Sequence, residues 1–207
     1  MSAIPPTLSP AEVEFLAENE LVVIEPLQKL PVVSFLGNDI GPFVPPRPAT
    51  VPLWAALLLK KRGLCKLKAP SWMTLESLQA LVALERKEEG FSPMPFHYLE
   101  VAKLIFTAAK GDIPDAPAIQ ALIQDLREAR RAKTRSGAAL MTEPFLRLDN
   151  LAMMEVNEVR PTYARAFLTE KRIQRAAALA PPDSSTQSSA PTSSSAGPGM
   201  AGFQPMA

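Results

Sequence analysis

At 207 residues the chain can form one ordinary domain or two small ones; 47% of it is hydrophobic, and its 22 prolines are roughly twice average usage. A net charge of +1 argues against nucleic-acid binding through overall positive charge and leaves only local basic faces. One cysteine, Cys65, allows no internal disulfide, and the longest apolar run, Val51–Leu59, falls far short of the ~20 residues a bilayer span requires.

The first residues lack the basic start and apolar run of a secretory signal, so a soluble protein of a reducing compartment is expected. Ser9-Pro10-Ala11-Glu12 predicts a helix start. Ser9 caps free backbone N–H groups, Pro10 takes the first helical position and Glu12 completes a capping box. Val13, Leu16 and Ala17 share a narrow face, so the helix is expected to end near Asn19. Leu21–Ile24 and Leu30–Leu36 read as strands, bounded by Pro26 and by Gly37-Asn38-Asp39, and Gly37–Gly41 reads as a tight turn. Thr50–Lys61 predicts a helix with Pro52 in its first turn and Leu53, Trp54, Leu57 and Leu58 buried; Gly63 stops it. Cys65–Ala69 fits a short strand.

From Thr74 the period changes to 3.6. Thr74–Glu89 carries Leu75, Leu78, Leu81 and Val82 on one side, and Ser92-Pro93 is expected to start a helix running to about Ala109. Asp115 begins a third, with Ile119, Leu122, Ile123 and Leu126 at helical spacing and Gly137 as its stop. A short helix around Leu148–Glu155 is expected to lead into a last one, Asn157–Leu179, with Pro161 near its first turn. Beyond Pro181 the chain is Ser, Thr, Pro, Ala and Gly with Asp183 its only charged side chain, too little apolar area to offset ~1–2 kcal/mol of backbone entropy per ordered residue. The fold class expected is mainly α. A small β-rich (α+β) domain with an N-terminal helix fills residues 1–65, a larger all-helical domain residues 66–180, and a disordered tail residues 181–207.

A lone His97 and a lone Cys65 exclude an ordinary zinc site. Gly37 and Gly41 lack the spacing and the Lys-Ser/Thr of a phosphate loop. Glu85, Glu88 and Glu89 lie beside Arg86 and Lys87, which reads as a solvated helix end rather than an acid–base pair. No enzyme, cofactor or metal is expected. Two basic clusters stand out: Lys60, Lys61, Arg62, Lys66 and Lys68, and then Arg127, Arg130, Arg131, Lys133 and Arg135. Each is either a solvated, ion-paired surface or a contact for an acidic partner or DNA phosphates. Without interleaved aromatics, any DNA contact would be weak and salt-sensitive.

Several motifs recur in a recognisable order: Gly41-Pro42-Phe43, Val51-Pro52-Leu53-Trp54, Leu59-Lys60-Lys61-Arg62, Phe91-Ser92-Pro93-Met94-Pro95, Asp112-Ile113-Pro114, Leu148-Asp149-Asn150-Leu151 and Met154–Pro161. In these the chain resembles the GINS subunit 2 family of the eukaryotic replication machinery, through most of its length. The resemblance implies a small β-rich domain ahead of a helical one, and a nuclear, non-catalytic subunit that forms a heterotetramer with three other GINS subunits. It further implies that this tetramer joins a RecJ-like helicase cofactor and the hexameric minichromosome-maintenance motor, supporting origin firing, fork progression and break-induced repair synthesis. Ser136–Leu146 is shorter than the family's usual connection, and Met1–Thr7 and the tail match nothing. Candidate partner contacts, chosen as exposed, matched or clustered positions, are Phe43, Trp54, Lys60, Arg62, Leu122, Leu126, Arg127, Arg131 and Lys133, with Phe43 and Trp54 equally readable as core.

Overall fold

A computed structural model describes residues 7–35, 39–137, 141–142, 145–146 and 148–179. The expected turn at Gly37-Asn38, parts of the connection after Ser136 and the expected tail lie outside the described residues.

Helix α1, Pro10–Ala17, starts as its local chemistry dictates. Glu12 N–H donates to Ser9 Oγ at 3.3 Å, and Ser9 N–H donates back to Glu12 Oε2 at 2.7 Å. Those Ser9 donors hold the Glu12 carboxyl below its usual range. Strand β1, Leu21–Pro26, alternates exposed and buried residues and turns Val22 and Ile24 inward.

Two short strands, β2 (Val33–Ser34) and β3 (Asp39–Ile40), pair antiparallel, and Leu30 bridges Phe43 through two backbone hydrogen bonds of 3.1 and 3.0 Å. Of the strand expected over Leu30–Leu36, these are the pairings among the described residues, and Pro31 can donate no ladder hydrogen bond. Gly41 has φ +109°, and a Cβ there would sit 3.1 Å from the Pro31 carbonyl oxygen, so the close backbone approach requires glycine.

Residues Ala49–Pro52, expected in part as helix, form strand β4 against β1, with Val22 opposite Val51 and Val23 opposite Thr50. The β-branched Thr50 and Val51 suit the pleat, and Pro52, extended at ψ 145°, hands over to helix α2, Leu53–Lys61. This helix buries Leu53, Ala55 and Ala56, whereas Leu58, expected inside, is 42% exposed. Strand β5, Cys65–Leu67, completes an antiparallel sheet in the order β4-β1-β5.

Helix α3, Leu75–Lys87, is capped by Thr74, whose Oγ1 accepts from Ser77 N–H at 3.3 Å. Helix α4 spans Tyr98–Ala109 and begins six residues later than Ser92-Pro93 suggests. Pro95 biases Met94 away from helical angles, so the 92–97 stretch stays irregular. A 3-10 turn, Lys110–Asp112, leads to helix α5, Ala116–Ser136, which Gly137 ends at φ 72° by donating its N–H to Lys133 O. A two-residue hairpin follows, β6 (Met141–Thr142) with β7 (Phe145–Leu146). The last helix, α6, runs Met153–Leu179 without the break expected near Asn157, carrying Pro161 inside it. The described residues from Leu168 to Leu179 belong to a second unit, in which Gln174 Nε2 donates to Glu170 Oε1 at 3.1 Å, one turn apart.

In the first unit α3 packs on α5 and α2 on α4. One continuous apolar core joins Val22, Ile24, Leu53, Met73, Leu78, Tyr98, Ile105, Ile119 and Leu126. Among the described residues no helix is long and apolar enough to cross a membrane.

Candidate partner-binding surface and its buried ionic hub

The best-defined polar arrangement in the fold centres on Arg130 of α5, which is 0% exposed. Its Nε and Nη2 grip Glu155 of α6 at 2.8 and 2.9 Å, and Nη1 donates to Glu85 of α3 at 3.2 Å and to Ser92 O at 3.1 Å. Nη2 also donates to Asn150 O at 2.5 Å, so all five guanidinium N–H groups have acceptors in reach. The guanidinium further lies 5.1 Å from the Phe91 ring centroid.

Each carboxylate has its own further partners. Glu85 accepts from Ser92 N–H at 2.8 Å and Ser92 Oγ at 2.5 Å, and pairs with Lys133 Nζ at 2.8 Å. Glu155 accepts from Tyr98 OH at 3.1 Å and Ala152 N–H at 2.9 Å. Burial pushes the Glu85 carboxyl up, but Lys133, the Ser92 donors and Arg130 outweigh it and hold the group below its usual range. Burial likewise pulls Arg130 down, and its bonds to Glu155 more than reverse that. The Tyr98 hydroxyl is pushed far up by burial and by Glu155, so it remains a donor. Two cations therefore face two carboxylates in a largely buried site. The arrangement stitches α3, α4, α5 and α6 together and fixes the chain entering α6.

This hub changes the reading of two sequence features. Glu85, expected on a solvated helix end, is fully buried: it faces α5, and the basic residues that follow it project elsewhere. Of the second basic cluster, Arg130 is interior, Lys133 serves Glu85 and the Gly90 carbonyl at 2.6 Å, and Arg127 and Arg131 pair with Glu158 at 3.0 and 3.2 Å. The ion pairs of both networks join residues 25 or more apart, and no local pattern announces them.

The other sequence-derived candidates fall in different surroundings. Phe43 is buried against Leu30, and Leu126 lies in the core with the half-buried Leu122 packed against it. Trp54 is half-buried, its ring edge-on to Phe35 at 5.0 Å. Lys60 pairs with Asp112 Oδ2 at 2.6 Å, and the same carboxylate accepts from Leu67 N–H at 2.9 Å, tying α2 and β5 to the 3-10 turn. Arg62 is exposed at the end of α2. Cys65 is buried, and burial pushes its thiol up to about 11. His97 precedes α4 with its ring edge-on to Phe96 at 4.9 Å. Among the described residues no group of His, Cys, Asp or Glu could hold a metal ion.

Large apolar side chains stand uncovered on the N-terminal part. Phe15 is 69% exposed and Leu21 68%, with Val23, Leu27, Val33 and Val44 also exposed. Sequence spacing gave Leu21 and Val23 to a strand without telling which side of the sheet lacks a cover.

Comparison with known families gives this architecture its class. Residues 72–172 match the GINS complex protein helical bundle domain, and residues 9–68 match the PSF2 N-terminal domain. The protein "DNA replication complex GINS protein PSF2" of Homo sapiens is 46% identical over 151 residues, covering 71% of this chain and 82% of the human one. Its Xenopus laevis counterpart is 43% identical over 153 residues, covering 72% and 83%. The Schizosaccharomyces pombe protein is 40% identical over 167 residues, covering 81% and 91%. The chain belongs to the PSF2 family of GINS complex proteins.

Proposed function

We propose that this chain is a non-catalytic structural subunit of a GINS heterotetramer acting in DNA replication in the nucleus, held to three sibling subunits by apolar surface. The family membership above carries this reading. The exposed Phe15, Leu21 and Val23 support it, since such side chains gain most from a cover when a partner excludes water. The hub is compatible with a structural role, because its ionisable groups are paired with one another across the helices. Within the same proposal the tetramer engages a RecJ-like helicase cofactor and the hexameric minichromosome-maintenance motor, activating the replicative helicase in initiation, elongation and break-induced repair synthesis.

The surface positions proposed for partner contact are Trp54, Arg62, Leu122, Arg127 and Arg131, whereas Phe43, Lys60, Leu126 and Lys133 support that surface from within. A primary DNA-binding role has less support, because Arg127, Arg130, Arg131 and Lys133 are already matched by carboxylates. Co-expression with the three siblings tests the proposal. A single complex that survives high salt is expected; failure to co-purify, or retention on DNA that falls steeply with salt, would reject it.

A further inference from the structure

The sequence holds two Ser-Pro steps, Ser9-Pro10 and Ser92-Pro93, and the fold treats them oppositely. Ser92 is 1% exposed and its Oγ donates to Glu85 inside the hub, so no enzyme reaches it without opening that site. Ser9 and Pro10 are both exposed. Ser9 stands before the first turn of α1 with φ −68° and ψ 154°, the extended backbone that a following proline favours. On its other side Leu8 is fastened to α6 by both backbone groups. Its N–H donates to Asn157 Oδ1 at 3.0 Å, and its carbonyl accepts from Asn157 Nδ2 at 2.7 Å. The chain thus presents one exposed, extended serine followed by proline and keeps the other out of reach.

The Ser9 hydroxyl is engaged only locally. It donates to Glu12 Oε2 at 2.8 Å and accepts from Glu12 N–H, exposed bonds that water can replace at little cost. We propose that Ser9 is a phosphorylation site for a proline-directed Ser/Thr protein kinase, with Pro10 as the recognised neighbour and ATP as the phosphoryl donor. Ser9 Oγ bonds to the γ-phosphorus of ATP and the bond from that phosphorus to the bridging oxygen breaks. ADP leaves with the electron pair, and the hydroxyl proton passes to the kinase's base. The product carries about −1.5 to −2 charge at pH 7 beside the Glu12 carboxylate. Glu12 loses the O–H it accepted, and attraction turns to repulsion. Its side chain releases the Ser9 amide, held until then at 2.7 Å, and turns to solvent. The phosphate oxygens take over the amides of the first turn, where the helix dipole favours negative charge. The helix survives under a new cap, and its exposed end gains charge.

The test incubates the full chain with ATP and an active mitogen-activated protein kinase or, separately, a cyclin-dependent kinase, and maps the product by mass spectrometry. Phosphate is expected at Ser9, with Ser92 left unmodified. Ser9→Ala should abolish the modification at this position. Pro10→Ala keeps the hydroxyl and places the best helix former at the first helical position, yet should lose most of the incorporation. The Glu12 carboxyl, held down by the Ser9 donors, should titrate at higher pH once Ser9 carries phosphate, as read by NMR. No phosphate at Ser9 with either kinase, Pro10→Ala modified as fast as wild type, or a Glu12 titration unmoved by the phosphate would each overturn the proposal. Incorporation that survives Pro10→Ala but disappears in Glu12→Gln would overturn it too, by assigning Ser9 to an acid-directed kinase.

Discussion

Replacing Arg130 with methionine should be among the most damaging single changes available in this fold. The substitution keeps most of the side-chain volume but removes five hydrogen-bond donors from a fully buried site. Glu155 would keep only Tyr98 OH and the Ala152 amide, and Glu85 only Lys133 and Ser92. Breaking a buried pair on one side costs about 3–5 kcal/mol, a large part of the roughly 5–15 kcal/mol that a domain has. For a chain of this size each kcal/mol shifts the melting temperature by about 2–4 °C, so a drop of roughly 6–20 °C is expected. Thermal unfolding followed by far-UV circular dichroism measures it. A companion variant combining Arg130→Met with Glu85→Gln and Glu155→Gln should recover much of the loss, because most of the cost lies in stranded charge. An Arg130→Met chain melting within a degree or two of wild type would refute the keystone role. A triple variant no better than the single one would show that packing, not charge, carried it.

Acid should weaken the hub: the Glu85 carboxyl is held below its usual 4.5, so its contribution is fully present above that pH and lost as pH falls through the folded value. Glu100 runs the other way, because burial raises its carboxyl and its cost appears as pH climbs from 4.5 through that raised value. Glu100→Gln should therefore gain stability relative to wild type at pH 7 but not at pH 4; denaturant melts at both pH values would show an equal gain if this is wrong. Asp112→Ala removes acceptors used by Lys60 and Leu67 N–H and should cost about 1–3 kcal/mol by urea unfolding, while a neutral result would mean the 3-10 turn is held otherwise. Glu158→Gln, which releases only exposed pairs, should change stability by no more than about 1 kcal/mol. Cys65, with its thiol pushed up to about 11, should react with iodoacetamide in the native chain far more slowly than after unfolding, and equal rates would contradict its burial.

Much of this fold was written in local patterns. The capping box at Ser9 and Glu12, the i, i+3, i+4, i+7 run from Ile119 to Leu126 and the glycine stop at Gly137 each depend on neighbours within a few residues, and each appears as expected. Elements set by distant partners were harder to read. Residues Thr50–Pro52 carry helix-start chemistry, yet pairing with β1 draws them into the sheet. Pro161 resembles a helix beginning, but the helix passes through it from Met153. The candidate surface was least legible of all. Charge pattern placed Glu85 on a solvated helix end and left the cluster from Arg127 to Arg135 open between an ion-paired surface and a partner contact; three carboxylates from α3 and α6 gather most of those cations. Such pairing is set by which helix faces which, and a single sequence carries no local record of it.

Native mass spectrometry of the chain co-expressed with its three siblings is the most direct check on the assembly role. One complex holding a single copy of each subunit, still intact at high ionic strength, is the predicted spectrum. A well-behaved lone chain that ignores its siblings would contradict it.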